Sequence, residues 1–196
     1  MPKLWSETIE AHRREVRDAI MDAGARLAGE HGPLNVTMTQ IAQATGIGRA
    51  TLYKYFDSVE AVLQAWHQRQ INEHLDRLSE VADRDAPPLE RLGSVLQTYA
   101  ELQRHGIDRE GAPHVSDLAA FLHGDHQLAA AEHRLRDLVH GLVAAAADAG
   151  QIRSDIAAAE LTTYCLHAIG AAGALPSNAA MRRLVEVTLT GLRPAP

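Results

Sequence analysis

The chain has 196 residues, of which 46% are hydrophobic and 22% charged, and its formal net charge is -6. This length and hydrophobic content suit a globular protein with one sizeable core, or a small domain on a larger one, and exclude a disordered chain. Because Ala and Leu dominate the apolar residues and β-branched runs are absent, we expect an all-α fold of about nine helices.

The single cysteine, Cys165, cannot form an internal disulfide, and no charged-then-apolar leader precedes the region of Trp5. We therefore expect a cytoplasmic protein. No segment reaches the roughly 18 uninterrupted apolar residues of a membrane helix, since Asp148 interrupts even the Ala-rich run over 142–149. We also expect no catalytic residue, metal or cofactor, because a phosphate loop and a nucleophile elbow are absent.

Charge is distributed unevenly along the chain. Residues 1–57 contain seven basic and seven acidic side chains, so the whole net charge of -6 lies beyond residue 57. Residues 1–57 are called the head and the rest the body, and a neutral head predicts only modest non-specific attraction to nucleic acid.

The first two predicted helices lie before residue 46. Apolar periodicity predicts a helix over 7–31, which Gly32 ends. Thr37 then fits the N-cap of a second helix that ends near Thr45, and Gln40 three residues later completes a T-x-x-Q capping box.

Residues 37–56, TMTQIAQATGIGRATLYKYF, have the spacing of a helix-turn-helix, whose second helix enters a DNA groove. The small Ala42 allows the second helix to pack closely, and Gly46 can adopt the left-handed backbone of a tight interhelical turn. Gly48 opens the recognition helix, which we predict over 49–55.

The run IAQATGIGRATLYKYF, followed by Asp57, Ser58 and Glu60, resembles the DNA-binding signature of the TetR family of one-component transcriptional regulators. In that signature a TLY triplet and a Phe close the recognition helix. The similarity extends over about residues 13–63, roughly a third of the chain.

The resemblance implies a homodimeric regulator, most often a repressor that binds a palindromic operator in double-stranded DNA and is released by a small-molecule effector. It implies an N-terminal helix-turn-helix DNA-binding domain over 1–57 and a C-terminal helical ligand-binding and dimerisation domain over 58–196. An all-helical enzyme and a helical scaffolding module with incidental helix-turn-helix spacing are the alternatives.

Arg49, in the first turn of the recognition helix, is the strongest base-edge candidate because a guanidinium can donate two hydrogen bonds to guanine. Ala50 and the methyl group of Thr51 suit a thymine methyl, whereas the three residues after Leu52 suit phosphates. Hydroxyls and free amides at the start of the preceding helix favour a phosphate as well. The predicted DNA-binding residues are Thr37, Thr39, Gly48, Arg49, Ala50, Thr51, Tyr53, Lys54 and Tyr55.

Several neighbouring residues have other interpretations. We expect Leu52 and Phe56 in the core, and Tyr55 is a candidate for half-burial. Arg13, Arg14 and Arg17 form either a solvated helix face or a contact to the DNA backbone or minor groove.

Asp57 and Glu60 form a second capping-box pattern, which opens a long helix with apolar residues from Val62 to Val81. This helix joins head and body. Val59 stands where many TetR-like chains have a Lys, so one phosphate contact is missing here.

The apolar pattern and helix breakers of the body predict five further helices. Segment 83–88 is a Pro-punctuated break before an amphipathic helix over 89–102. A polar loop over 106–113, a shorter helix to about His123 and a long helix over 125–149 follow, and Gly150 ends the last of these. Ser154 or Asp155 then caps a helix over 156–175, and Pro176 separates it from a final helix over 177–192.

The last two helices are the dimerisation candidate. Small residues over 168–173 let another helix approach closely, and the final helix supplies larger side chains. The alternative is that both helices simply complete the monomer core.

The resemblance also implies a ligand cavity among the body helices. The candidate lining residues share an apolar body, and a few carry polar tips that suit orientation of a mostly apolar ligand. Core packing is the alternative for each. The candidates are Trp66, Leu96, Tyr99, Phe121, Leu122, Tyr164 and His167.

Histidines are enriched between residues 114 and 140, which raises the possibility of a metal site. His133 and His140 share a helix face but stand about 10.5 Å apart by helical rise, which is too far for one ion. Surface or interface histidines are the favoured interpretation. The set is His114, His123, His126, His133 and His140.

Overall fold

The computed structural model describes residues 3–110 and 126–194, with side chains described over 9–104 and 129–194. In these ranges the regular structure is helical and contains no strand, which confirms the predicted fold class. The α-helices are α1 (Lys3–His31), α2 (Met38–Thr45), α3 (Arg49–Leu52), α4 (Val59–Ala82), α5 (Pro88–Glu110), α6 (His126–Asp148), α7 (Ala158–Gly170) and α8 (Asn178–Gly191). Two 3₁₀ helices cover Pro33–Asn35 and Ala171–Ala174.

The described chain divides into two compact units. The N-terminal unit holds residues up to Gln70 together with Glu110, and the C-terminal unit holds residues 71–109 and 126–194. The division therefore lies inside α4, whereas the division that the motif predicts follows Asp57. Both units contain part of α4 because its first turns pack on the N-terminal core.

The N-terminal core forms where α1, α2, α3 and the start of α4 meet. Its fully buried side chains are Ile20, Ile41, Leu52, Val62 and Leu63. Gly32, with φ of 84°, follows α1, as predicted. The core thus seats the short helix α3 on two longer ones.

Gly24 marks the closest approach of α1 to α4. A Cβ placed on Gly24 would lie 2.6 Å from Cγ1 of Val62, which is shorter than any real carbon contact. Val62 is fully buried and β-branched, so its side chain has little freedom to move away. The absence of a side chain at Gly24 is what permits this packing.

We predict that Gly24→Ala destabilises the N-terminal unit by about 1 kcal/mol, because overpacking costs about 1–3 kcal/mol and outweighs the gain in helix propensity. Gly29→Ala is the matched control on the same helix, since nothing lies within 4 Å of its added Cβ. That variant is expected to gain up to about 1 kcal/mol. Urea unfolding of the two variants checks the signs, and a stabilising Gly24→Ala would contradict the packing argument.

The C-terminal core is formed by the later part of α4 together with α5, α6, α7 and α8. Fully buried side chains from each helix meet there, among them Leu96, Val143, Ile169 and Leu192. Cys165 is also buried in this core, and burial raises the pKa of its thiol to about 11. The thiol is therefore protonated and poorly reactive at neutral pH.

Two details of the predicted body are wrong. Helix α5 continues through Glu110, so residues 106–110 of the predicted loop are helical. The rest of that loop and the short helix ending near His123 lie outside the described residues. Helix α7 ends at Gly170, and the chain then tightens into a 3₁₀ turn instead of continuing to 175.

The predicted cap of α7 is also wrong. The N-cap is Ala157, which offers no side-chain hydrogen bond. Asp155 instead accepts two hydrogen bonds from the guanidinium of Arg153, at 2.8 and 2.6 Å. Ser177 does cap the last helix, as its hydroxyl accepts a hydrogen bond from the Ala180 amide at 3.2 Å.

Among the helices of the described ranges, none is both long and apolar enough to cross a membrane.

Candidate nucleic-acid interface

The start of α2 is fixed by the predicted capping box. The Thr37 amide donates to Oε1 of Gln40 at 2.7 Å, and the Gln40 amide donates to the Thr37 hydroxyl at 3.3 Å. These two bonds satisfy amides that the first helical turn leaves without partners. Thr37 is exposed and Thr39 half-buried, so the Thr37 side chain combines its capping role with access from solvent.

The turn between α2 and α3 depends on Gly46. Its φ of 71° and ψ of 14° are left-handed, and the Ile47 amide closes the turn on the Ala42 carbonyl at 3.2 Å. Ala42 is buried beneath the turn, where a larger side chain would separate the helices. The predicted left-handed Gly46 is confirmed, and Ala42 is buried, as its predicted packing role requires.

The recognition helix is shorter than predicted. Regular α-helix covers only Arg49–Leu52, with Gly48 as its extended N-cap. Residues 53–55 continue as hydrogen-bonded turns, in which the Lys54 amide donates to the Thr51 carbonyl at 3.0 Å. The prediction of α-helix over residues 53–55 is therefore wrong, although backbone hydrogen bonds still connect these residues to α3.

The segment from Gly48 to Phe56 has two faces. Leu52 and Phe56 are buried in the N-terminal core, as predicted, and Tyr55 packs half-buried against it. The opposite face is exposed to solvent. It carries Gly48, Arg49, Ala50, Thr51, Tyr53 and Lys54. The buried face thus holds the exposed side chains on a rigid support, which is what groove recognition requires.

Arg17 is a structural neighbour of this segment. Its guanidinium carbon lies 4.6 Å above the ring centroid of Phe56, in a cation–π contact. Arg13 and Arg14 are exposed on the same helix. Arg17 therefore packs on the end of the recognition segment, and a DNA contact of the three arginines stays a prediction.

The start of α4 differs from the predicted capping box. Ser58, and not Asp57, is the cap, because its hydroxyl accepts a hydrogen bond from the Ala61 amide at 3.1 Å. Val59 opens the helix and packs half-buried against the core.

Two family models match this sequence. The model described as "Bacterial regulatory proteins, tetR family" matches residues 20–66, which include the whole helix-turn-helix. The model described as "Transcriptional regulator SbtR-like, C-terminal domain" matches residues 93–194, more than half of the chain. The chain belongs to the TetR family.

Curated relatives match about half of this TetR-family chain. It is 37% identical over 104 residues to the HTH-type transcriptional regulator Rv1255c of Mycobacterium tuberculosis (strain ATCC 25618 / H37Rv), covering 50% of each chain. It is 31% identical over 97 residues to the regulator BetI of Rhizobium meliloti (strain 1021), covering 50% of this chain and 45% of BetI. The chain spans about half the length of the curated relatives it matches.

Solved structures match nearly the whole chain. A TetR/AcrR-family regulator from Thermobifida fusca has a TM-score of 0.74 at 20% identity, covering 90% of this chain and 98% of the other. The TetR regulator SCO0520 from Streptomyces coelicolor has a TM-score of 0.60 at 26% identity, covering 92% and 99%. FadR from Bacillus subtilis, solved with stearoyl-CoA, has a TM-score of 0.61 at 17% identity, covering 89% and 96%. The fold is that of TetR-family regulators.

The predicted ligand-lining residues occupy different environments. Leu96 is fully buried in the C-terminal core, and Tyr99 is half-buried beside it. Tyr164 and His167 lie on the exposed face of α7. Trp66 packs against the N-terminal core. Phe121 and Leu122 lie outside the described residues, and the ligand role of all seven stays a prediction.

Tyr99 is the half-buried polar group among these candidates. Its hydroxyl accepts a hydrogen bond from Nε2 of Gln103 at 2.7 Å. Burial raises the pKa of Tyr99, so its hydroxyl stays protonated at neutral pH and retains a proton to donate. A donor of this kind, beside the fully buried Leu96, suits a mostly apolar ligand with one polar group.

An open apolar groove on the C-terminal unit was not predicted. The groove has a volume of about 590 Å³ and runs between the start of α5 and Leu189 of α8. At its floor, a Cβ on Gly93 would lie 3.2 Å from Cδ1 of Leu189. In the sequence, the one feature that corresponds to this close approach is Gly93, a glycine inside an otherwise regular amphipathic helix.

The histidine-rich stretch does not assemble a metal site in the described part of the chain, where no three potential ligands converge. His133 pairs with Asp137 at 3.4 Å, and Nδ1 of His140 lies 3.4 Å from the Thr162 hydroxyl. Both histidines are exposed. The side chains of His114, His123 and His126 lie outside the described residues.

Proposed function

We propose that this chain is a cytoplasmic, homodimeric transcriptional repressor that binds a palindromic operator and is released by a small-molecule effector. The observation that carries the proposal is the two-faced segment from Gly48 to Phe56. It holds Arg49 exposed over a buried Leu52, in a chain of the TetR family. Arg49 reads bases in this proposal, whereas Tyr53, Lys54 and Thr37 contact phosphates.

A dimer is needed because one short helix contacts too few base pairs for specific binding. Two copies reach successive major grooves when their recognition helices stand about 34 Å apart. The exposed surface of α7 and α8 supports a dimer interface there. Val187 is 64% exposed and Tyr164 43% exposed.

Tyr164 also lies against α8. A Cβ on Gly191 would lie 2.8 Å from the Tyr164 hydroxyl, so Tyr164 crosses α8 at Gly191. Val187 stands one helical turn before Gly191 on the same face. The result is an apolar patch of the kind that dimerisation buries.

We predict that Val187→Arg converts the dimer to a monomer and weakens operator binding at least tenfold, because a charge would be buried without a partner. Ala149→Arg adds the same charge at another exposed position of the same unit and is expected to remain a dimer. Sedimentation equilibrium gives the mass, and selection from random duplexes gives the operator. A dimeric Val187→Arg variant would place the interface elsewhere, and failure of the wild-type protein to select any duplex would overturn the proposed function.

The proposed effector is largely apolar, because the candidate lining residues are mostly apolar and Tyr99 adds one half-buried hydroxyl. The structure of FadR from Bacillus subtilis in complex with stearoyl-CoA, a protein of similar fold, supports this proposal. A thermal-shift screen with acyl chains of increasing length tests this directly, since a ligand of the native state raises the melting temperature. Release of operator DNA by the same compound identifies it as the effector.

A further inference from the structure

Arg69 joins two helices of the N-terminal unit. Its side chain is 24% exposed, and Nη1 donates to Oδ1 of Asp18 at 3.1 Å. Nη2 donates to Oδ1 of Asp22. Asp18 and Asp22 are one turn apart on α1, so one guanidinium from α4 contacts two successive turns of the neighbouring helix.

The two aspartates favour the charged form of the Arg69 guanidinium. Burial alone would lower the pKa of Arg69, but hydrogen bonds and Coulombic attraction from Asp22, and then from Asp18, raise it. An isolated surface ion pair contributes little, whereas a planar guanidinium shared by two carboxylates fixes both distance and orientation. The contact therefore defines how α4 lies on α1.

The position of Arg69 along α4 gives this contact its importance. Gln70, the next residue, is where the N-terminal unit ends, and α4 continues to Ala82 as part of the other unit. Arg69 thus holds α4 on α1 at the last turn before the division.

The opposite end of the same α4 segment is also held by α1. Arg17 packs over Phe56 just before α4, and the backbone of Gly24 abuts Val62. Leu52 of α3 is buried in the same cluster as Phe56 and Val62. The orientation of α3 therefore follows that of the α1–α4 pair.

We propose that Arg69, through Asp18 and Asp22, is a positioning residue for DNA recognition. It fixes α4 on α1, so that the recognition segment moves with α4 as one body. Without this contact, α4 tilts on α1 near Arg69, and the recognition segment loses its alignment. The inference rests on the proposed function, because alignment is defined relative to DNA.

Electron paramagnetic resonance with two spin labels tests the contact without DNA. Labels at Ala19→Cys on α1 and Gln64→Cys on α4, both in the N-terminal unit, report the tilt between the helices, and both positions are exposed. The buried, protonated Cys165 does not compete for the label. Arg69→Met is expected to broaden the distance distribution, whereas Arg26→Met, which breaks an exposed pair with Glu30 within α1, leaves it unchanged.

Operator affinity is measured on the same variants without labels. Loss of charged hydrogen bonds predicts about a tenfold weaker Kd for Arg69→Met and less than about a twofold change for Arg26→Met. Arg69→Lys keeps the charge but lacks the planar fork, so we expect an intermediate distribution and an intermediate Kd. Asp22→Asn removes one carboxylate charge and serves as the milder variant if Arg69→Met does not fold.

The outcomes separate the two proposals. Broadened distances together with the loss of affinity, both partly restored by Arg69→Lys, support a positioning role. An unchanged distance distribution in Arg69→Met and in Asp22→Asn would overturn it, and so would broadened distances with unaltered affinity. If the wild-type protein binds no duplex specifically, the proposed function fails, while the label distances still decide whether Arg69 fixes α4 on α1.

Discussion

Replacing Arg49 by Ala is expected to weaken binding to the selected operator at least about 30-fold. A bidentate arginine–guanine contact contributes about 1–3 kcal/mol of base discrimination, and a dimer loses two of them. With about 1.4 kcal/mol for each factor of ten, the smallest expected loss of about 2 kcal/mol gives this ratio. Fluorescence anisotropy on the operator and on a scrambled duplex of equal length measures the effect.

The comparison between the two duplexes distinguishes base reading from phosphate contact. Arg49→Ala is expected to reduce operator affinity far more than affinity for the scrambled duplex, because only the operator presents the matching guanine. Arg26→Ala removes the same charge from α1, where Arg26 pairs with Glu30 at 3.0 Å. Equal losses on both duplexes for Arg49→Ala would assign this side chain to the backbone instead.

Signals within one or two helical turns were predictable from the sequence. The Thr37–Gln40 capping box, the left-handed Gly46 and the buried pair Leu52 and Phe56 all depend on residues close together in the chain. Each follows from a local requirement of backbone hydrogen bonding or burial. For this reason the helix-turn-helix was located correctly, and only the end of α3 was misplaced.

Competition between nearby polar residues caused the errors in helix capping. Asp57 and Ser58 are both good caps, and the structure uses the second. Asp155 is a good cap by type, but its carboxylate pairs with Arg153 and leaves Ala157 at the N-cap. Residue type alone does not determine which of two available partners a side chain takes.

Contacts between distant parts of the chain were not predictable. Arg69 and the two aspartates on α1 are 51 and 47 residues apart, and Gly93 meets Leu189 from the last helix. No periodicity in a single sequence encodes such a pairing. The close approach of α1 to α4 at Gly24 was not predictable either, because a glycine inside a helix can have several structural reasons.

The buried support of the recognition segment makes Leu52 the most sensitive position for stability. Leu52 is fully buried between α3 and the N-terminal core, so Leu52→Ala leaves a cavity beneath the exposed face that carries Arg49. Such truncations cost about 2–5 kcal/mol. We therefore expect loss of most of the folding free energy of this unit, and loss of operator binding with it.

Leu34→Ala is the matched control, since Leu34 is 82% exposed and the same atoms are removed. It is expected to change the free energy of unfolding by less than about 0.5 kcal/mol. Urea unfolding followed by Trp66 fluorescence reports on the N-terminal unit, because Trp66 packs against its core. A background variant, Trp5→Phe, removes the second tryptophan signal.

The relation between stability and binding gives the sharper test. If Leu52 acts only as support, Leu52→Ala binds the operator normally under conditions that refold it, such as low temperature or a stabilising osmolyte, whereas Arg49→Ala does not recover. If only Leu52→Ala recovers operator binding, then Leu52 contributes to the stability of the segment, whereas Arg49 contributes to base recognition. Failure of the folded Leu52→Ala variant to bind would show that packing at Leu52 also sets the orientation of Arg49.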